Sequence, residues 1–179
     1  MSELDFSLQP FPSNTAPPRI EITGNISRLS NSLTICYVLA GDLGELEVSD
    51  FSDTQIRKSG LWEQTCLEFF LAAKNSKQYW EFNLSPSGHW NVYRFADYRQ
   101  GMEEETAFVS LPFKIRYRPD SVLLELEVRL DKIVRADQCL GVGISAVIEQ
   151  TGGAKTYWAL THCCPRADFH CRESFIIEL

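Results

Sequence analysis

Residues 79–95, YWEFNLSPSGHWNVYRF, constrain this chain more than any other stretch. An apolar run, the break Ser85-Pro86-Ser87-Gly88 and a second apolar run specify a β-hairpin. Proline presets one turn dihedral and glycine accepts a positive one. With Ser85 facing Gly88, the register pairs Phe82 with Asn91, Trp80 with Tyr93, Asn83 with Trp90, Glu81 with Val92 and Tyr79 with Arg94. Side chains alternate faces along a strand. This register predicts a core face of Trp80, Phe82, Leu84, Tyr93 and Phe95, with His89 and Asn91 near the turn. The opposite face then carries Tyr79, Glu81, Asn83, Trp90, Val92 and Arg94. A mixture of carboxylate, amide, guanidinium and aromatic rings suits a polar small molecule better than a core or a plain wet surface.

The same period of two recurs along the chain. Leu33, Ile35, Tyr37 and Leu39 alternate with Thr34, Cys36 and Val38. Leu67, Phe69 and Leu71 alternate with Cys66, Glu68, Phe70 and Ala72, which puts Glu68 among bulky apolar neighbours, where a carboxylate is costly without a partner. Leu124, Leu126 and Val128 alternate with Glu125, Glu127 and Arg129. Further strands are expected over residues 20–26, 108–117, 140–148, 156–160 and 174–179. Gly141 and Gly143 permit close backbone approach in one of them. Residues 40–60, with Gly41, Gly44, Asp50 and Asp53, and residues 96–105 read as loops, and one short helix fits residues 130–136. The sum is an all-β chain: an antiparallel β-sandwich, immunoglobulin-like or jelly-roll, of about nine to ten or more strands with at most one short helix. Residues 1–19, with Pro10, Pro12, Pro17 and Pro18, read as an extended arm, and residues 20–179 as one domain.

Net charge is −7, from 17 basic and 24 acidic residues. That argues against a nucleic-acid partner, which needs a basic face. No stretch reaches the roughly 20 apolar residues of a membrane span. The first residues lack the basic start and apolar centre of a secretory leader, so the expectation is a cytoplasmic, reducing setting and free thiols at Cys36, Cys66, Cys139, Cys163, Cys164 and Cys171. The first three lie in apolar runs and read as buried small hydrophobes.

Three segments together, LWEQTCLE from Leu61, YWEFNLSPSGHWNVYRFADYRQGM from Tyr79, and the closing YWALTH, DFH and SF, resemble the DOMON-like domain proteins of bacteria, which are grouped with the family 9 carbohydrate-binding modules. The resemblance covers nearly the whole chain after the arm. It implies a β-sandwich with a concave sheet face that holds sugars or haem in relatives. It leaves the ligand open. The sequence departs from both kinds of relative. Trp62 and Trp90 are the candidates for a sugar-clamping pair, and no calcium loop is present. For haem, the available ligands are Met1, Met102, His89, His162 and His170.

The candidate binding residues are therefore Trp62, Glu68, Glu81, Asn83, Trp90, Arg94, His162 and His170. Aromatic rings stack on the C–H face of a sugar, while carboxylate, amide and guanidinium groups bond its hydroxyls. The plain alternative is an ion-pair network of Glu68, Glu81 and Arg94 under loops. Two carboxylates can also cleave a glycoside, with Glu68 and Glu81 as the pair. The segment HCCPRADFHC, residues 162–171, holds thiols and imidazoles without the spacing of a zinc site. The reading is a non-catalytic module for a sugar or similar polar ligand, with no resident metal or cofactor. A haem or metal protein using His162, His170 and Met102, and a carboxylate-pair hydrolase, are the alternatives.

Overall fold

Two antiparallel sheets face each other across one apolar core, each strand giving every second side chain to it. The computed structural model describes residues 3–49, 51–52 and 54–179; Met1, Asp50 and Asp53 lie outside the described residues. In chain order the strands are β1 (Leu4–Ser7), β2 (Gln9–Pro10), β3 (Ile20–Leu29), β4 (Ser32–Gly41), β5 (Cys66–Ala73), β6 (Tyr79–Leu84), β7 (Trp90–Phe95), β8 (Glu103–Glu104), β9 (Phe113–Arg118), β10 (Ser121–Arg129), β11 (Leu140–Glu149), β12 (Lys155–Ala159) and β13 (Ile177–Glu178). The first sheet runs β1-β3-β4-β10-β9, and the second β2-β12-β11-β5-β6-β7-β8, with β13 pairing β11.

Alternation does the folding. Leu33, Ile35, Tyr37 and Leu39 on β4 and Val122, Leu124, Leu126 and Val128 on β10 meet Leu67, Phe69 and Leu71 on β5 and Val142, Ile144 and Ala146 on β11. Each such large side chain contributes about 1.5–3 kcal/mol on burial. Residues 4–10 are more than a lead-in. β1 pairs with β3 and β2 with β12, so the segment passes from one sheet to the other and buries Phe6 and Leu8. Residues 130–136 form turns, with the Ile133 and Val134 N–H groups both donating to the Leu130 carbonyl, and no helix. Among the described residues the only helical pieces are 3-10 turns, one of them at Leu61–Glu63. Cys66 is buried as expected, but Cys139 is exposed and Cys36 half-buried; all six thiols are free.

The central hairpin corrects the expected register by one residue. The Ser85 N–H donates to the His89 carbonyl at 2.8 Å, and the Gly88 N–H to the Ser85 carbonyl at 2.9 Å. Gly88 takes φ +97°, so it forms a bulge and Ser85 faces His89, not Gly88. The pairs become Leu84 with Trp90, Asn83 with Asn91, Phe82 with Val92, Glu81 with Tyr93, Trp80 with Arg94 and Tyr79 with Phe95. A slip of one residue moves a whole strand's side chains to the other face. Trp90 and Val92 therefore lie in the core with Trp80, Phe82 and Leu84. Asn91, Tyr93 and Phe95 join Tyr79, Glu81 and Asn83.

Candidate functional site

The face of the second sheet turned away from the core is itself covered. Phe70, Ala72, Tyr79, Tyr93, Phe95 and Phe175 form a second apolar cluster with Phe169 against it. Tyr79 stacks on Phe95 with ring centroids 4.8 Å apart. The cover comes from residues 168–175. Gly143 on β11 makes room for it, since a Cβ there would meet the Phe175 ring at 2.8 Å. Beside this cluster the cover leaves a cavity of about 360 Å³, within the usual range for small-molecule sites.

Glu68 and Glu81 reach the cavity from neighbouring strands β5 and β6, with Val147 of β11 beside them. Trp62, from the 3-10 turn before β5, Met102, and Tyr157 on β12 form its more open walls; all three are partly exposed. Phe169, His170 and Arg99 close it from the loops. Trp62 also packs edge-on against Tyr93, with centroids 5.5 Å apart.

The polar floor is almost dry. Glu68 is 2% exposed and Glu81 4%. Glu68 Oε2 accepts a long bond from Ser145 Oγ at 3.4 Å, while Oε1 has no hydrogen-bond partner. Glu81 Oε1 accepts from Asn83 Nδ2 at 2.8 Å, and its Oε2 lies 3.7 Å from His170 Nε2. Burial pushes the Glu68 carboxyl well above the ordinary carboxylate range, and the adjacent Glu81 adds to it. Burial likewise pushes Glu81 up to about 7 against the opposing Asn83 bond. His170 is pushed down to about 4 by burial and by the nearby Arg99 guanidinium, so it is neutral at pH 7. A consistent proton arrangement follows: the Arg99 backbone N–H donates to Tyr79 Oη at 3.1 Å, Tyr79 Oη–H donates to His170 Nδ1 at 2.7 Å, and His170 Nε2–H points towards Glu81.

Arg99 is held by Asp168. Its Nη2 lies 2.8 Å from Asp168 Oδ1, and Tyr98 Oη donates to Asp168 Oδ2. Arg99 adopts φ +51°, a conformation rare outside glycine that sets the tight turn after β7. Cys164 and Cys171, with sulfurs 2.9 Å apart, bracket the loop that carries Asp168, Phe169 and His170.

The structure thus brings Trp62, Glu68, Glu81 and His170 to one cavity, with Asn83 wholly buried behind Glu81. Trp90 does not share that face. It is a core residue with the Arg57 guanidinium 4.4 Å over its ring. Arg94 is on the core-facing side of β7 but at its exposed end, paired with Glu103 and far from any network with Glu68 and Glu81. The shifted register displaces both. His162 bonds the Gln9 carbonyl at 2.8 Å and packs on Phe11, outside the cavity lining. Sequence reasoning missed Arg99, Tyr157 and Phe169. Arg99 and Phe169 sit on loops without periodicity, and Tyr157 needed the β11–β12 pairing to be known. The ADYRQ and DFH motifs were the available signal.

A carboxyl pair of this kind can donate and accept hydrogen bonds, or act as acid and base. The residues do not fit a haem. His170 Nδ1 is engaged by Tyr79 and Nε2 faces Glu81, while His162 is elsewhere, although Met102 does line the cavity. Among the described residues no cluster of three or more His, Cys, Asp or Glu side chains is arranged to hold a metal ion.

No family model matches the chain. No curated protein matches it. Among solved structures, it is similar to a candidate carbohydrate-binding protein from Bacteroides uniformis, with TM-score 0.65 and 12% identity over 94% of this chain and 84% of that one. A family 9 carbohydrate-binding module from Caldicellulosiruptor kristjanssonii solved with glucose gives TM-score 0.49 and 14% identity over 80% of this chain and 69% of that one. The same kind of module solved with cellotriose gives 0.49 and 13%, over 82% and 68%. At these identities the likeness to the Bacteroides protein is one of fold.

Proposed function

We propose that this chain is a non-catalytic module that holds a carbohydrate or similar polar small molecule in the cavity over Glu68 and Glu81. The observation that carries the reading is the Glu68 carboxyl: 2% exposed, on the cavity lining, with Oε1 unpartnered. An orphaned buried oxygen costs about 1–3 kcal/mol, which a ligand hydroxyl would offset. Aromatic side chains around that polar floor offer stacking surfaces of the kind a sugar ring uses. The Bacteroides protein of like fold, described as a candidate carbohydrate binder, and the sequence resemblance to DOMON-like proteins and family 9 modules support the same reading.

A glycan panel read by calorimetry tests it. Trp62→Ala and Glu68→Gln should each weaken binding by about tenfold or more, the worth of one lost stacking or hydrogen-bonding contact. Arg94→Ala, outside the cavity, should bind as the parent does. A panel on which the parent binds no glycan overturns the proposal.

The raised carboxyls favour a second reading, glycoside hydrolysis, with Glu68 as the acid that stays protonated and Glu81 as its partner. Release of reducing sugar that Glu81→Gln abolishes would establish it; intact oligosaccharide after prolonged incubation would remove it.

A further inference from the structure

The cavity floor carries two carboxyl groups and, among the described residues, no cation that pairs with both. The Arg99 guanidinium on the lining favours ionisation of both carboxyls through space but bonds neither among the described residues, its Nη2 being spent on Asp168 at 2.8 Å, with Tyr98 on the other Asp168 oxygen. His170, the only basic side chain within 4.0 Å of Glu81 among the described residues, approaches no closer than 3.7 Å and is neutral at pH 7. Cys66 and Asn83 from β5 and β6, Ser145 from β11 and Tyr93 from β7 also lie beside the pair and carry no charge at pH 7, while Tyr37 lies behind it on the core side and donates to the Glu68 backbone carbonyl. Glu68 Oε1 has no hydrogen-bond partner among the described residues. Burial without a bonded counter-charge keeps protons on the pair, and a cation arriving with its own donors offsets the cost of ionising Glu81, whose proton leaves to solvent on binding. The walls suit a cation as well, because Trp62, Phe95, Tyr157 and Phe169 all line the same space and aromatic rings attract positive charge.

We propose that the ligand of this cavity carries a protonated amine seated between Glu68 and Glu81, which on the carbohydrate reading makes it an amino sugar with a free amine. The ammonium supplies three donors, enough for Glu68 Oε1 and Glu81 Oε2 together. An N-acetylated sugar supplies one weak donor and a bulky acyl group, and a plain sugar supplies a hydroxyl without charge.

Calorimetry on the intact chain at pH 6.5 decides this with three β-1,4-linked trisaccharides that differ only at C2: cellotriose, chitotriose and triacetylchitotriose. Spermidine serves as an amine without a sugar ring. Chitotriose should bind about tenfold to a hundredfold tighter than the other two, the range expected of a charge-assisted hydrogen bond. Glu81→Gln should collapse that ratio towards one, with its thermal midpoint measured alongside to show that it folds. Equal binding of cellotriose and chitotriose overturns the amine and leaves the carbohydrate reading standing. Binding of spermidine without any trisaccharide upholds the amine and removes the carbohydrate reading. Binding of none of the four probes overturns the amine proposal.

Discussion

β10 and β5 are interior strands of opposite sheets, and they differ in what lies on their outer sides. On β10 the apolar residues Val122, Leu124, Leu126 and Val128 point inward, while Glu125, Glu127 and Arg129 point outward and are at least partly exposed. On β5 every residue from Cys66 to Ala73 is buried. Its inner side meets the same core, but its outer side meets the aromatic cover of residues 168–175 and the cavity. One sheet has a single dry face and the other has two. The difference shows where a polar group becomes informative. Glu125 on the wet face makes only a loose 3.7 Å approach to Lys114, whereas Glu68 on the covered face is an energetic anomaly that needs an explanation.

The largest effect is expected where the two sheets meet. Trp90→Ala removes a core side chain and the Arg57 contact over its ring, and should cost about 3–5 kcal/mol in a denaturant titration. A cost below about 1 kcal/mol would return Trp90 to the outer face and restore the register first expected.

The covered face should next reveal itself in pH dependence. Between pH 4.5 and about 7 the folded chain retains a proton on Glu81 that the unfolded chain has lost, so stability falls as pH rises. Each such carboxyl contributes about 1.4 kcal/mol per pH unit, and Glu68 acts in the same direction. His170 opposes them. Its folded value near 4 against 6.5 unfolded means that stability is lost as pH falls through that window, and His89, also lowered by burial, adds to it in the same sense. The two carboxyls outweigh the imidazoles, so unfolding free energy should decline from pH 4.5 to 6.5 and more steeply from 6.5 to 7. In the double variant Glu68→Gln with Glu81→Gln the slope between 4.5 and 6.5 should reverse. An unchanged slope would mean that the covered face is as wet as that of β10.

The smallest effect belongs to the open sheet. Lys114→Ala breaks an exposed pair with Glu125 and should change stability by less than about 0.5 kcal/mol, with no effect on binding to the cavity. A larger loss would show that this face, too, is covered.

Side-chain alternation made much of this legible from the chain alone. It gave the strands β4, β5, β6, β10 and β11, the sandwich they build, and the outward direction of Glu68, Glu81 and Asn83, because a period of two depends only on local geometry. The hairpin turn was harder, since one bulged glycine decides whether Ser85 faces Gly88 or His89. That single residue carries Trp90 into the core and Asn91, Tyr93 and Phe95 out of it. The cavity belonged wholly to tertiary structure. Trp62, Arg99, Tyr157 and His170 lie on four separate segments, and no local periodicity relates them. The sequence by itself determined which residues alternate and which carboxyls turn away from the core. Only the folded chain decided what covers them, because that depends on loops whose positions are set by packing against distant strands.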